Sequence, residues 1–142
     1  MHFLRVFSTA GIQKEIVSVG HPVVTMAGYE NLLAIVYHGG SSFMGSQCLR
    51  LRVMTVGTRD CRVLMDTDCA ITPCSELKWF GFSEEGQLFS FDTDGILRSF
   101  SFTSQTWSTR IDLRERLYEQ SSHIWIVGIS DQELLYIEVG QN

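Results

Sequence analysis

The stretch WFGFSEEGQLFSFDTDG, Trp79–Gly95, holds four carboxylates and five aromatic rings in seventeen residues. Glu84, Glu85, Asp92 and Asp94 invite two readings: an acid/base or metal site, or the two turns of a sheet. The spacing favours turns. Apolar and aromatic runs at 77–82 and 88–91 are separated by SEEG, and DTDG closes the second run. Short polar insertions ending in glycine are hairpin chemistry, because glycine supplies positive φ without steric cost. As a calcium loop the segment fails. Asp92, Asp94 and Gly95 match its third, fifth and sixth positions, but Ser90 stands at the first and Ser101 where a bidentate Glu is required. Paired carboxylates for glycoside chemistry must enter one cleft, which turn tips at opposite ends of a strand do not.

Outward from this stretch, short β-branched and aromatic runs punctuated by Gly, Asp, Asn and Ser recur along the chain, and helical periodicity is scarce. The pattern predicts an all-β protein. Strands are expected at 3–7 and 16–19, joined by a turn in which Gly11 takes positive φ, and at 23–27 and 32–37, turning at GYEN. QCLRLRVMTV and RVLMD follow, and in the first of these alternation sets Leu49, Leu51 and Val53 against Arg50 and Arg52. Four strands at 77–82, 88–91, 96–102 and 106–111 form a meander. DLRERLYEQ, 112–120, is the one helical segment expected, with Asp112 as its cap. Strands at 124–129 and 133–139 complete the chain.

Superposing VVTMAGYENLLAIVY, LKWFGFSEEGQLFSF and IWIVGISDQELLYIE brings Gly28, Gly81 and Gly128 to one column, 53 and 47 residues apart. That period is close to the roughly 40–50 residues of a four-stranded propeller blade. Glycine in an innermost blade strand would allow close backbone approach around a narrow channel. The expected organisation is an incomplete β-propeller: an outer half blade at 1–20, complete blades at 21–74 and 75–122, and an inner half blade at 123–142. Met1 opening directly on an outer strand is what a truncated chain would show. Trp79, Trp107 and Trp125 fall at strand positions and are expected to be core or inter-blade aromatics.

The 142 residues carry a formal net charge of −5, opposite to the basic footprint of nucleic-acid binding. No apolar run reaches a bilayer span, and MHFLRVF lacks the apolar centre of a signal peptide, so a soluble, intracellular chain is expected. Cys48, Cys61, Cys69 and Cys74, spaced C-x12-C-x7-C-x4-C, match no zinc pattern and are read as reduced thiols. His21 and His38 flank one strand pair but have no carboxylate or cysteine companion at ligand spacing. GGSSFMGS, 39–46, lacks the Lys of a phosphate-binding loop and reads as a long loop. No catalytic, metal or cofactor residue is therefore assigned.

The runs RVFSTAGIQKEIVSVGHPVVTMAGYENLLAIVYHGG, SQCLRLRV, LKWFGFSEEGQLFSFDTDGILRSF, TW and SHIWIVGI together resemble the SepB propeller of the minichromosome-loss and chromosome-transmission-fidelity family. The resemblance covers essentially the whole chain, and W-x-G-F-S-x-x-G followed by D-x-x-G is its most specific part. It implies a six-bladed propeller that self-trimerises and precedes a helical bundle. It further implies a nuclear, non-enzymatic replication-fork scaffold that links the replicative helicase to DNA polymerase alpha, without direct nucleic-acid or membrane binding by this segment. The WD repeats, helical bundle and HMG box of the family have no counterpart in these residues, so no peptide-docking residue carries over. The alternative is a fragment of an unrelated propeller-type enzyme, with Asp92, Asp94 or His38 as base or ligand, or a generic protein-interaction propeller.

Overall fold

A computed structural model describes residues 2–41, 46–57, 60–120 and 122–140. Two compact units divide the chain near residue 70: the first gathers the strands up to Cys69, the second those from Ala70 onward together with Ser46.

In the first unit, β1 (Phe3–Phe7) and β2 (Gln13–Ser18) form a hairpin, and β3 (Val23–Tyr29), β4 (Leu32–His38), β5 (Leu49–Thr55) and β6 (Arg62–Asp68) form a four-stranded antiparallel meander in that order. The first turn is closed by the Gly11 N–H donating to the Ser8 carbonyl at 2.9 Å, with Gly11 at φ +84°, as its position between two strands requires. β2 starts three residues before the apolar signal does. Gln13 and Glu15 pair with Phe7 and Val6, and backbone pairing is indifferent to polar side chains on an open hairpin. β4 is the apolar spine of the meander. Ala34, Ile35, Val36 and Tyr37 are all buried, so both its faces are covered, and its unbroken LLAIVY run needs no alternation.

In the second unit, β7 (Leu77–Phe82), β8 (Leu88–Asp92), β9 (Ile96–Ser101) and β10 (Thr106–Asp112) form the second meander, followed by α1 (Arg114–Gln120) and the hairpin of β11 (Ser122–Ile129) and β12 (Leu134–Gly140). β8 is buried along its whole length, as β4 nearly is. The hairpin packs on the meander through Phe89, Phe91, Leu97, Ile124 and Ile129, with Trp79, Leu117 and Tyr136 at the margin. The helix is shorter than its sequence signal because β10 runs on to Asp112, whose Oδ1 then accepts the Arg114 N–H at 3.0 Å and caps the first turn.

The architecture is thus all-β, with two four-stranded blades and two hairpins of half that size. The glycine column is visible in the register. Gly28 pairs with Leu33, Gly81 with Phe89 and Gly128 with Leu135, in each case the second residue of the following strand.

Gly95 ends the DTDG turn at φ +87°, and a Cβ placed there would stand 2.6 Å from Leu117 Cδ1. Gly95→Ala is therefore expected to destabilise the second unit by more than the ~1 kcal/mol that a left-handed backbone alone costs an L-residue. Urea unfolding measures it, and a loss near zero would show that α1 yields freely.

Candidate functional site

Asp92 is the most enclosed acid of the Trp79–Gly95 stretch. Its side chain is 1 % exposed at the end of β8. Oδ2 accepts from the Thr72 N–H (3.0 Å), the Thr72 hydroxyl (2.6 Å) and Arg98 Nη1 (2.7 Å), while Oδ1 accepts from the Asp94 and Ile96 N–H groups at 3.1 and 3.2 Å. Burial by itself would raise this acid, but the donors from Thr72, Arg98 and Ile96 outweigh burial and hold it below the usual carboxylate range. Five donors around one enclosed carboxylate leave no face for a substrate or an ion. Asp92 clamps the turn, Thr72 and Arg98 together.

The other acids of the stretch are also turn residues. Ser83 and Gly86 close SEEG through N–H to carbonyl bonds of 2.7 and 3.0 Å involving Gln87 and Ser83. Glu85 accepts the Asp131 N–H at 3.1 Å, tying that turn to the β11–β12 turn. Among the described residues no three His, Cys, Asp or Glu side chains converge as a metal-binding group.

In the first unit the register brings Arg50 opposite Asp68 and Arg52 opposite Asp66. Asp66 receives the Tyr37 hydroxyl at 2.6 Å, Arg50 at 2.8 Å and Arg52 at 2.9 Å, and Asp68 receives Arg50 at 2.7 Å. Burial would raise the Asp66 carboxyl, but the Tyr37, Arg50 and Arg52 donors bring it below its ordinary value. The Tyr37 phenol is pushed up, first by burial and then by Asp66. The Arg52 guanidinium lies 5.0 Å from the Tyr37 ring centre, and His21 stacks on the same ring at 5.4 Å. This is a cross-strand charge ladder that stiffens one blade. Sequence alternation placed the arginines on one face but gave no sign that Asp66 and Tyr37 would complete the cluster. His38 donates its backbone N–H to the Pro22 carbonyl at 3.0 Å, which joins the ends of the strand pair.

No disulfide joins the four cysteines. Burial and the nearby Glu15 carboxylate push the Cys61 thiol up to about 11. Alkylation at about pH 8 is therefore expected to be quick at the exposed Cys48 and Cys74 and slow at Cys61, since the thiolate is the nucleophile. Peptide mass spectrometry reads the rates, and equal labelling of Cys61 and Cys48 would contradict the shift.

The glycines share a register but not a common crowding. A Cβ on Gly81 would stand 2.8 Å from the Trp79 ring, whereas one on Gly28 would reach only Leu32 O at 3.8 Å and one on Gly128 would meet nothing within 4 Å. Within each unit, then, the tight approach is to a side chain at Gly81, and Gly128 sits at a register shift in β11. The tryptophans also divide. Trp79 packs at the margin of the core cluster and the Trp107 ring lies 5.0 Å from that of Phe100. Trp125 is instead 59 % exposed, because the alternation of β11 gives the packed face to Ile124 and Ile126 and turns it the other way.

Trp125, with Lys78 Nζ 5.4 Å from its ring centre, belongs to a larger, partly exposed apolar surface. Ile137 pairs with it across the hairpin, and Val127, Leu135 and Val139 are exposed beside it. In the first unit Phe3, Phe7, Ile16, Val23 and Met26 are exposed on the hairpin and β3. Exposed apolar patches of this kind are a usual mark of a contact surface. The candidate functional sites are these two exposed apolar patches, each taken within its own unit.

The family described as minichromosome loss protein, Mcl1, middle region, matches residues 1–142. The chain is similar to WD repeat and HMG-box DNA-binding protein 1 of Homo sapiens, 39 % identical over 129 residues, covering 90 % of this chain and 11 % of that protein. The protein of the same name from Xenopus laevis is 36 % identical over the same share of each chain. Protein ENHANCER OF LHP1 1 of Arabidopsis thaliana is 37 % identical over 142 residues, covering 96 % of this chain and 14 % of its own. The chain therefore spans only 11–14 % of the length of these relatives.

Proposed function

The chain belongs to the minichromosome loss protein family, in its middle region, and from that premise we propose that it is a non-enzymatic scaffold module of a replication-fork hub. Its work is protein contact. The observation that carries this reading is the uncovered apolar surface at Trp125, Leu135 and Ile137, on a family fold whose most conspicuous acid, Asp92, is consumed by five internal donors. The relatives are named for DNA binding, but a net charge of −5 argues against phosphate contact by this part of the family. The proposed setting is the nucleus, within a self-associating hub that joins the replicative helicase to DNA polymerase alpha.

The chain, tagged in cells, is expected to be enriched with both partners on newly pulse-labelled DNA and to decline there after a chase. Equal recovery from bulk chromatin would refute the replication-fork reading. Purified chain is expected to leave the polarisation of a fluorescent DNA duplex unchanged at physiological salt. Tight binding that weakens steeply with salt would overturn the protein-contact reading.

A further inference from the structure

Burial separates the four tyrosines of the chain. Tyr37 is 4 % exposed and donates its hydroxyl to Asp66 at 2.6 Å. Tyr136 packs against the core cluster with the Arg116 guanidinium 5.8 Å from its ring centre, and Tyr29 is half-buried at the end of β3. Of the four, Tyr118 alone stands in solvent, 80 % exposed on α1. Its setting is acidic. Glu115 precedes it by three residues and Glu119 follows directly, and Glu115 lines the same surface hollow as Asp112, Arg114 and Tyr118. The helix that carries it is seven residues long. A helix that short has little stability of its own, so α1 can open locally and offer Tyr118 in the extended form that a kinase cleft takes.

We propose that Tyr118 is a phosphorylation site for a tyrosine kinase that reads acidic flanks, and that its phosphate unpins α1. The γ-phosphoryl group of magnesium-bound ATP passes to Tyr118 Oη, its bond to the β-phosphate breaks with ADP as leaving group, and the phenolic proton goes to the kinase's catalytic carboxylate. The product is poorly placed in the helix. α1 has Glu115 in its first turn and no basic residue in its last, so a dianion on Tyr118 meets the negative end of the helix uncompensated. The cation one turn back, Arg114, is already bound to Asp112, with Nε at 3.0 and 3.1 Å and Nη2 at 2.6 Å from the carboxylate oxygens. That same carboxylate caps α1 through the Arg114 N–H. A phosphate that draws the Arg114 side chain away disturbs the pair that holds the cap, and one that does not stays unpaired. Either way α1 loosens. With it go Leu117, whose Cδ1 occupies the place a Gly95 Cβ would need, and the Arg116 to Glu138 ion pair at 3.0 Å.

This site does not depend on the replication-fork role. It is tested on the purified 142-residue chain with the catalytic domain of an acid-preferring tyrosine kinase and magnesium–ATP, sites and rates being read by peptide mass spectrometry. Phosphate is expected on Tyr118 more than about tenfold faster than on Tyr37, which is reached only when its sheet opens. Glu115→Gln is expected to slow the labelling of Tyr118 several-fold with unchanged far-ultraviolet circular dichroism. Amide hydrogen exchange over 114–120 is expected to quicken about tenfold on phosphorylation, and to stay as it was in Tyr118→Phe put through the same reaction. Labelling of Tyr118 no faster than that of Tyr37 overturns the site, as does equal labelling of Glu115→Gln and parent. Exchange that is the same before and after phosphorylation overturns the unpinning of α1.

Discussion

Asp92→Ala is expected to cost the second unit about 3–5 kcal/mol, the loss seen when one partner of a buried ion pair is removed. The substitution strands Arg98, whose side chain is largely enclosed, and releases the Thr72 donors and two turn N–H groups in the same step. Urea unfolding of variant and parent, followed by circular dichroism, measures the loss. A value under about 1 kcal/mol, the scale of an exposed pair, would show that the network is ornamental. Replacing both partners, Asp92→Leu with Arg98→Met, is expected to be far milder, because no uncompensated charge remains inside. The pH dependence follows from the direction of the shift. The folded carboxyl titrates below its unfolded value of about 3.9, so its contribution is complete above that value and is lost as pH falls through the lower, folded one. Melting temperature on the acid side is expected to fall more steeply for the parent than for Asp92→Asn.

Phe89→Ala is the second large effect, expected to cost about 3–5 kcal/mol. Phe89 is 2 % exposed at the centre of the cluster that joins the β7–β10 sheet to the β11–β12 hairpin, between Phe91, Leu97, Ile124 and Ile129. Truncation leaves a cavity bounded by two sheets whose backbones are fixed by their own ladders, so collapse around it is limited. Tyr118→Ala, on a residue 80 % exposed in α1, is expected to stay within about 0.5 kcal/mol. Similar losses for the two variants would mean that the hairpin does not pack through Phe89.

Much of the fold was legible because β-sheet signals are local. The apolar runs of β4 and β8, the glycines at positive φ in the turns, and the period that aligned Gly28, Gly81 and Gly128 are each written within a few residues. Spacing likewise favoured turn acids over a calcium loop, since the ligands such a loop demands at fixed offsets are replaced by Ser90 and Ser101. What escaped the sequence is what depends on partners far along the chain. Alternation told that Trp125 and Ile124 face opposite ways, but which way is inward is set by the position of Phe89 and Leu97, more than twenty residues earlier. Likewise Asp66 reads as one acid among sixteen until the β5–β6 register puts Arg50, Arg52 and Tyr37 around it. By itself the sequence determined an all-β chain with a blade-length repeat, because strand, turn and period are short-range properties of the backbone. Only the tertiary structure decided that Asp92 is a clamp and that Trp125 lies on an open face, because burial and hydrogen-bond partnership belong to the assembled sheets and not to any stretch of residues.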